Sequence, residues 1–122
     1  MNLADGIRKV FEKLFRNLKG LRGIVISTID GLPVASDMKS SGEEDRISAI
    51  ISSIAILSKK VAPQLNIGEA EDFMIEGENG KVFFYSIGED AILALITDRE
   101  VNLGMIRMVL PGIREELEEL ML

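Results

Sequence analysis

Two neighbouring segments of the chain, Val82–Ile87 and Ala91–Ile96, are apolar on both of their alternating faces. A strand with one face in water alternates apolar and polar residues, whereas a strand covered on both faces is apolar throughout. We therefore expect both segments to be strands of a sheet that lies between two layers of helices.

Three amphipathic segments can supply those layers, because their apolar residues recur at steps of three and four. The first spans residues 3–18. The second opens at the capping-box serines 40 and 41 and runs to about Leu65, and the third begins near Asn102 and contains Pro111, which should kink it. The predicted core stripe of the second helix is Ile47, Ile50, Ile51, Ile54, Leu57, Val61 and Leu65. That of the third helix is Leu103, Ile106, Leu110, Ile113, Leu117 and Leu120.

Turn residues complete the order of elements. Asp30 and Gly31 suit a type I′ turn between strands at residues 24–29 and 32–36, and Pro33 places the second of these at a sheet edge because proline cannot donate a ladder hydrogen bond. Asn79 and Gly80 mark a further hairpin. The order is helix, two strands, helix, three strands, helix, which we interpret as one domain over residues 1–122.

Composition argues against several classes of function. The 122 residues carry a net charge of -6 and include neither cysteine nor histidine, so a nucleic-acid partner, a metal site and a catalytic centre are not expected. Ser27 lacks a base to activate it, and a glycine-rich phosphate loop is absent. We predict no enzyme activity and no cofactor. Without a signal peptide or a long apolar run, a cytoplasmic location is expected and membrane binding is not.

The segments Gly23–Ala35 and Leu93–Asp98, followed by a helix that opens Asn102-Leu103-Gly104, occur in a distinctive order and spacing. In these features the chain resembles the roadblock/dynein light chain family, in its prokaryotic type associated with Ras-like GTPases, over nearly its whole length. The resemblance implies an α/β sandwich (α+β) with a profilin-like fold, in which a five-stranded antiparallel sheet lies between one central helix and two terminal helices. It also implies homodimers and a Ras-like small GTPase as partner.

Two surfaces are candidates for those contacts. The strand at residues 70–77 has the pattern of a less buried edge strand and contains no proline to block it, so we expect it to pair with the same strand of a second copy. The predicted dimer interface is Asp72, Phe73, Met74, Ile75 and Glu76. The predicted outward face of the central helix, Ala49, Ser52, Ser53, Ile56 and Lys60, has small and weakly polar residues where a solvent face would carry more charge.

The sequence thus favours a non-enzymatic homodimeric interaction module that serves as a scaffold or regulator of a Ras-like small GTPase. The sequence is also compatible with two alternatives. One is a structural adaptor subunit of a larger complex, and the other is a small-molecule-sensing domain of profilin-like fold. Likeness of fold alone does not choose among them.

Overall fold

A five-stranded antiparallel sheet with helices on both faces forms the structure, a computed structural model that describes residues 2–38 and 42–121. The elements in chain order are α1 (Leu3–Asn17), β1 (Leu21–Thr28), β2 (Pro33–Met38), α2 (Glu44–Gln64), β3 (Asp72–Glu76), β4 (Lys81–Ile87), β5 (Ala91–Thr97) and α3 (Leu103–Leu120). This order is the predicted one. Ser40 and Ser41, on which the predicted capping boxes depend, lie outside the described residues.

The strands are arranged in the order β2-β1-β5-β4-β3, so β2 and β3 are the edges. Both edges were predicted, one from Pro33 and the other from the polar alternation of β3. Pro33 stands opposite Ser27, next to a shift in register between Ile26 and Ser27. The missing amide of proline is tolerated at such an edge position.

The sheet is covered on both faces, as the apolar strands predict. Ile24 and Ile26 of β1 belong to the core formed with α1 and α3, whereas Val25 between them belongs to the core beneath α2. This alternation follows from the two-residue period of a strand. The central strand β5 alternates in the same way, with Leu93 and Leu95 facing α1 and α3 and with Ile92 and Ala94 facing α2.

Helices α1 and α3 lie side by side on their face of the sheet. A Cβ atom on Gly6 would lie 2.5 Å from a Leu120 methyl carbon, and Lys13 of α1 forms an ion pair with Glu116 of α3. α3 continues through Pro111. Leu103 was wrongly assigned to the core, because it is exposed and Val101, just before the helix, is buried at that end.

Candidate partner-binding surface

The side of α2 that faces the sheet consists mainly of small residues. The buried residues of this helix are Ser48, Ile51, Ser52, Ala55 and Ala62. The Ser52 hydroxyl donates a hydrogen bond to the Ile29 carbonyl oxygen, and a Cβ atom on Gly31 would lie 3.5 Å from the Ala49 Cα atom. These small side chains let α2 pack closely against β1 and the turn that follows it.

This packing shows that the predicted core stripe of α2 was correct for Ile51 and in part for Ile47 and Ile54, and wrong for its other four residues. Ile51 is its one fully buried residue. The exposed residues of the stripe are Ile50, Leu57, Val61 and Leu65, and the partly buried ones are Ile47 and Ile54. The helix is rotated about its axis so that Ile51 and the small residues beside it contact the sheet, whereas Ile50 and Leu57 are exposed. Ser52 was predicted to point outward and is buried for the same reason.

Five aliphatic residues that are exposed or only partly buried form a regular line along α2. Ile47, Ile50, Ile54, Leu57 and Val61 follow one another at alternating steps of three and four residues. This is the a/d spacing by which one helix packs against another in a coiled coil. Leu57 is 61% exposed and Ile50 is 48% exposed, so the described part of the protomer leaves the outer side of this line uncovered. We call these five residues the α2 seam.

The residues predicted for partner contact lie on a second exposed strip of α2. Ala49, Ser53, Ile56 and Lys60 are all exposed, and their steps of four, three and four place them on one side of the helix. Ser52, the fifth residue of the predicted set, is buried and does not belong to this strip. Ile56, which is 39% exposed, is the one large apolar residue of this strip. The α2 seam, which the sequence pattern assigned to the core, is therefore the more apolar of the two strips.

The sheet surface beside the α2 seam is also apolar. α2 lies over β1, β2 and β5, which leaves β3 and β4 beside the helix. Phe73 and Ile75 of β3 project to this face, because they stand opposite Phe84 and Val82 and Phe84 belongs to the core beneath α2. Ile75 is 45% exposed. We call Phe73, Ile75 and the α2 seam together the α2–β3 surface.

The outer edge of β3 presents unpaired backbone groups. Among the described residues, β3 pairs with β4 and with no other strand. Opposed residues of an antiparallel pair alternate between exchanging two hydrogen bonds and exchanging none, and the Gly77 amide donates to the Gly80 carbonyl oxygen at 2.8 Å. The next pair, Glu76 and Lys81, therefore exchanges none, and the alternation continues along the strand. The N–H and C=O groups that consequently face the open side belong to Asp72, Met74 and Glu76.

Cations of the same protomer lie beside both carboxylates of this edge. Asp72 Oδ1 lies 3.3 Å from Arg114 Nη1. Glu76 Oε2 lies 3.3 Å from Arg99 Nη2 and 3.7 Å from Lys81 Nζ. Unpaired charges on an edge strand keep other strands away. Because nearby cations neutralise the carboxylates of Asp72 and Glu76, these two side chains repel a partner strand less than unpaired charges would.

Tyr85 stands opposite Asp72 on the side of the sheet that α3 covers. Burial, reinforced by the Asp72 carboxylate, raises the pKa of the Tyr85 phenol to about 12, while Arg114 and Arg107 act in the opposite direction. The phenol therefore stays protonated well above neutral pH.

The described residues lack the features of two other kinds of site, a metal centre and a membrane span. Groups of three or more side chains that could hold a metal ion are not found in residues 2–38 and 42–121, and no helix in these ranges is long and apolar enough to cross a membrane. Ser27, considered above as a nucleophile, is fully buried. Its hydroxyl donates to the carbonyl oxygens of Thr28 at 2.8 Å and Ser48 at 3.3 Å, which makes it a structural residue of β1.

Similar sequences occur in the archaeon Methanocaldococcus jannaschii. The uncharacterized protein MJ1340 is 33% identical to the chain over 100 residues, which cover 82% of this chain and 87% of the relative. The uncharacterized protein MJ0310 is 32% identical over 100 residues, with the same coverage of both chains.

Solved structures of bacterial proteins have the same fold. The gliding protein mglB from Thermus thermophilus superposes with a TM-score of 0.84 at 19% identity, over 97% of this chain and 90% of that one. A Roadblock/LC7 domain from Streptomyces avermitilis gives a TM-score of 0.71 at 17% identity, over 92% and 88% of the two chains. MglC from Myxococcus xanthus gives a TM-score of 0.58 at 21% identity, over 92% of this chain and 99% of that one. Residues 9–97 match the Roadblock/LC7 domain, which confirms the resemblance found in the sequence: the chain belongs to the Roadblock/LC7 family.

Proposed function

We propose that the chain forms a homodimer through the α2–β3 surface and that this dimer is a platform that scaffolds or regulates a Ras-like small GTPase. The observation that carries the dimer is that the α2 seam, the exposed Ile75 and the open edge of β3 adjoin one another on one side of the protomer. A helix with an exposed a/d line and an edge strand without a neighbour both favour association with a partner.

A single two-fold axis beside β3 would cover all of these features. Antiparallel pairing of β3 with the same strand of a second copy doubles the sheet and satisfies the outward N–H and C=O groups of Met74. The same axis brings α2 of each protomer to the same face of the enlarged sheet. Leu57 and Val61 would then be buried against the partner helix, and full burial of such a side chain contributes about 1.5–3 kcal/mol.

The GTPase part of the proposal rests on family membership, because the roadblock resemblance implies a Ras-like GTPase as partner in prokaryotic relatives. In the proposed dimer the second strip of α2 remains available for that partner. Ile56 offers an apolar contact and Lys60 a charged one, side by side on one helix. A mixture of apolar and polar contacts is usual in interfaces that form and dissociate.

Affinity capture from the native cell tests the platform. Immobilised protein is incubated with lysate supplemented with a GTP analogue or with GDP, and bound Ras-like proteins are quantified. We expect recovery that differs between the two nucleotides. Ile56→Glu should reduce this recovery at least tenfold without changing the dimer, because burying an unpaired carboxylate in an interface costs several kcal/mol. Lys9→Glu, on the exposed side of α1, is the charge-changing control.

The structural adaptor is the alternative that this experiment separates. An adaptor subunit would recover the same partners with either nucleotide. That result, or normal recovery of the GTPase by Ile56→Glu, would contradict the proposed regulatory contact.

A further inference from the structure

The second edge of the sheet adjoins a cavity that the proposed dimer does not use. The cavity has a volume of about 480 Å³ and lies between α1 and β2, at the edge of the sheet opposite to β3. Its apolar lining comes from Leu3, Ala4, Ile7 and Phe11 on α1 and from Val34 and Ala35 on β2. A volume of this size falls in the range of pockets that bind ligands.

An irregularity in β2 gives the cavity its apolar floor. The register between β1 and β2 shifts between Ile26 and Ser27, as in a β-bulge, where two residues of one strand stand opposite one of the other. Val34 and Ala35 consequently both pack against the core on the side of α1, although adjacent residues of a regular strand point to opposite faces. The small Ala35 side chain leaves space beneath α1.

Within residues 2–38 and 42–121, β2 pairs with β1 and with no other strand, so its backbone is open where it passes this cavity. The Ile29 amide donates to the Asp90 carbonyl oxygen at 2.8 Å, so the odd-numbered residues of β1 bond toward β5. Val25 is one of them, and the residue opposite Val25 on β2 is Ser36. Because Val25 bonds to the other side, Ser36 turns its N–H and C=O groups away from β1 and toward the open edge.

We propose that the β2 edge and the cavity together bind an extended peptide segment of a partner protein, which adds to the sheet as an antiparallel strand. Main-chain hydrogen bonds to Ser36 would hold the segment, and the cavity would select its side chains. Opposed residues of paired strands project to the same face. The peptide residue opposite Ala35 therefore points toward α1 and places an apolar side chain in the cavity.

The charge at the rim of the cavity defines the rest of the segment. Asp37 is exposed and has no ion pair within the described residues, and the one cation among the lining residues, Arg8, is held by Glu12 at 2.8 Å. A basic residue opposite Asp37 complements this carboxylate. In an antiparallel strand that residue comes two positions before the one opposite Ala35, so the segment should read basic, any residue, apolar.

Panning a phage-displayed library of random peptides against the protein tests the proposal. We expect enriched sequences to share the basic-x-apolar pattern, and a fluorescein-labelled synthetic peptide with the consensus sequence to bind in solution. Ala4→Trp fills the cavity from the exposed side of α1 and should weaken binding of this peptide at least tenfold. Lys9→Trp, on the same helix but away from the cavity, should change it less than twofold. Asp37→Lys should remove the preference for the basic residue.

Amide hydrogen exchange provides a second measurement that does not depend on a cavity-filling substitution. The bound peptide should slow exchange of the Ser36 amide at least tenfold and leave the Met74 amide at the other edge unchanged. Leu57→Glu should not affect peptide binding, which separates this proposal from the dimer. Equal affinity of the consensus peptide for Ala4→Trp and for the unmodified protein would overturn the proposal. So would enriched peptides whose binding leaves the exchange rate of the Ser36 amide unchanged. Uptake of a small hydrophobic dye with no peptide enrichment would overturn it as well.

Discussion

The ring of Phe73 lies on the ring of Phe84 with their centroids 4.6 Å apart and their planes 13° from parallel. Phe84 is buried in the core beneath α2, whereas Phe73 is a residue of the edge strand β3. The stacked pair therefore fastens the edge strand to the core from one side, while the other side of β3 keeps its backbone groups open.

Phe73→Ala should lower the free energy of unfolding by about 3 kcal/mol, because it removes both the buried part of the ring and the stacking contact. Ile75→Ala, on the same face but more exposed, should cost less than half as much. Both are measured by denaturant unfolding in a Leu57→Glu background, so that changes in dimerisation do not contribute. Equal losses for the two variants would show that the stacked pair has no special role.

Substitution by alanine should change the stability of the protein in opposite directions at two glycines. A Cβ atom on Gly80 would lie 2.5 Å from the backbone oxygen of Thr97, so Gly80→Ala must displace backbone and should destabilise the protein by about 1–3 kcal/mol. Gly112 lies inside α3 with nothing within 4 Å of its added Cβ atom. Gly112→Ala should stabilise by about 0.5–1 kcal/mol, the usual preference for alanine in a helix. Thermal unfolding of both variants checks these signs.

Tyr85 is the one tyrosine of the chain, so the absorbance of tyrosinate reports its ionisation alone. We expect a midpoint at a pH of about 12 in the folded protein and about 10 in denaturant. Because folding raises this pKa, the phenol contributes stability that is fully present below pH 10 and is lost as the pH rises from about 10 to about 12. Tyr85→Phe should remove that part of the pH dependence. A native midpoint near 10 would contradict the burial of this hydroxyl.

The sequence patterns identified the elements correctly where the chemistry of one residue decides the structure. Pro33 cannot donate a ladder hydrogen bond, which placed β2 at an edge. Because β5 is apolar on both of its faces, both faces had to be covered. Ile92 and Leu93 are indeed buried on opposite sides of the sheet. Each of these inferences depends on backbone geometry within one segment and needs no knowledge of neighbouring elements.

The orientation of α2 could not be obtained in the same way. Residues that pack on a sheet and residues available to another chain share the same helical period, so Ile51 and Leu57 look alike in the sequence. In the structure Ile51 is buried beside the small residues Ser52 and Ala55 where α2 approaches the sheet, whereas Leu57 is exposed. A clue was present in the stricter three-four spacing of Ile50, Ile54 and Leu57, which is typical of packing between helices.

The α1–β2 cavity likewise had no counterpart in the sequence patterns. It depends on the bulge that turns Val34 and Ala35 to the same face, and on the small Ala4 side chain that lines it from α1. Both arise only when β1, β2 and α1 are assembled. A local pattern can indicate an edge strand, but it does not show the space beside that strand.

The oligomeric mass in solution tests the central claim most directly. At about 50 µM, a concentration at which specific interfaces are normally occupied, sedimentation equilibrium should give twice the chain mass of 13.4 kDa. Leu57→Glu and Met74→Pro should each shift the protein to the monomer, because one places a charge in the α2 seam and the other removes an amide from the open edge of β3. Ile56→Glu should remain dimeric. A monomeric unmodified protein, or a dimer that neither Leu57→Glu nor Met74→Pro weakens, would contradict the account.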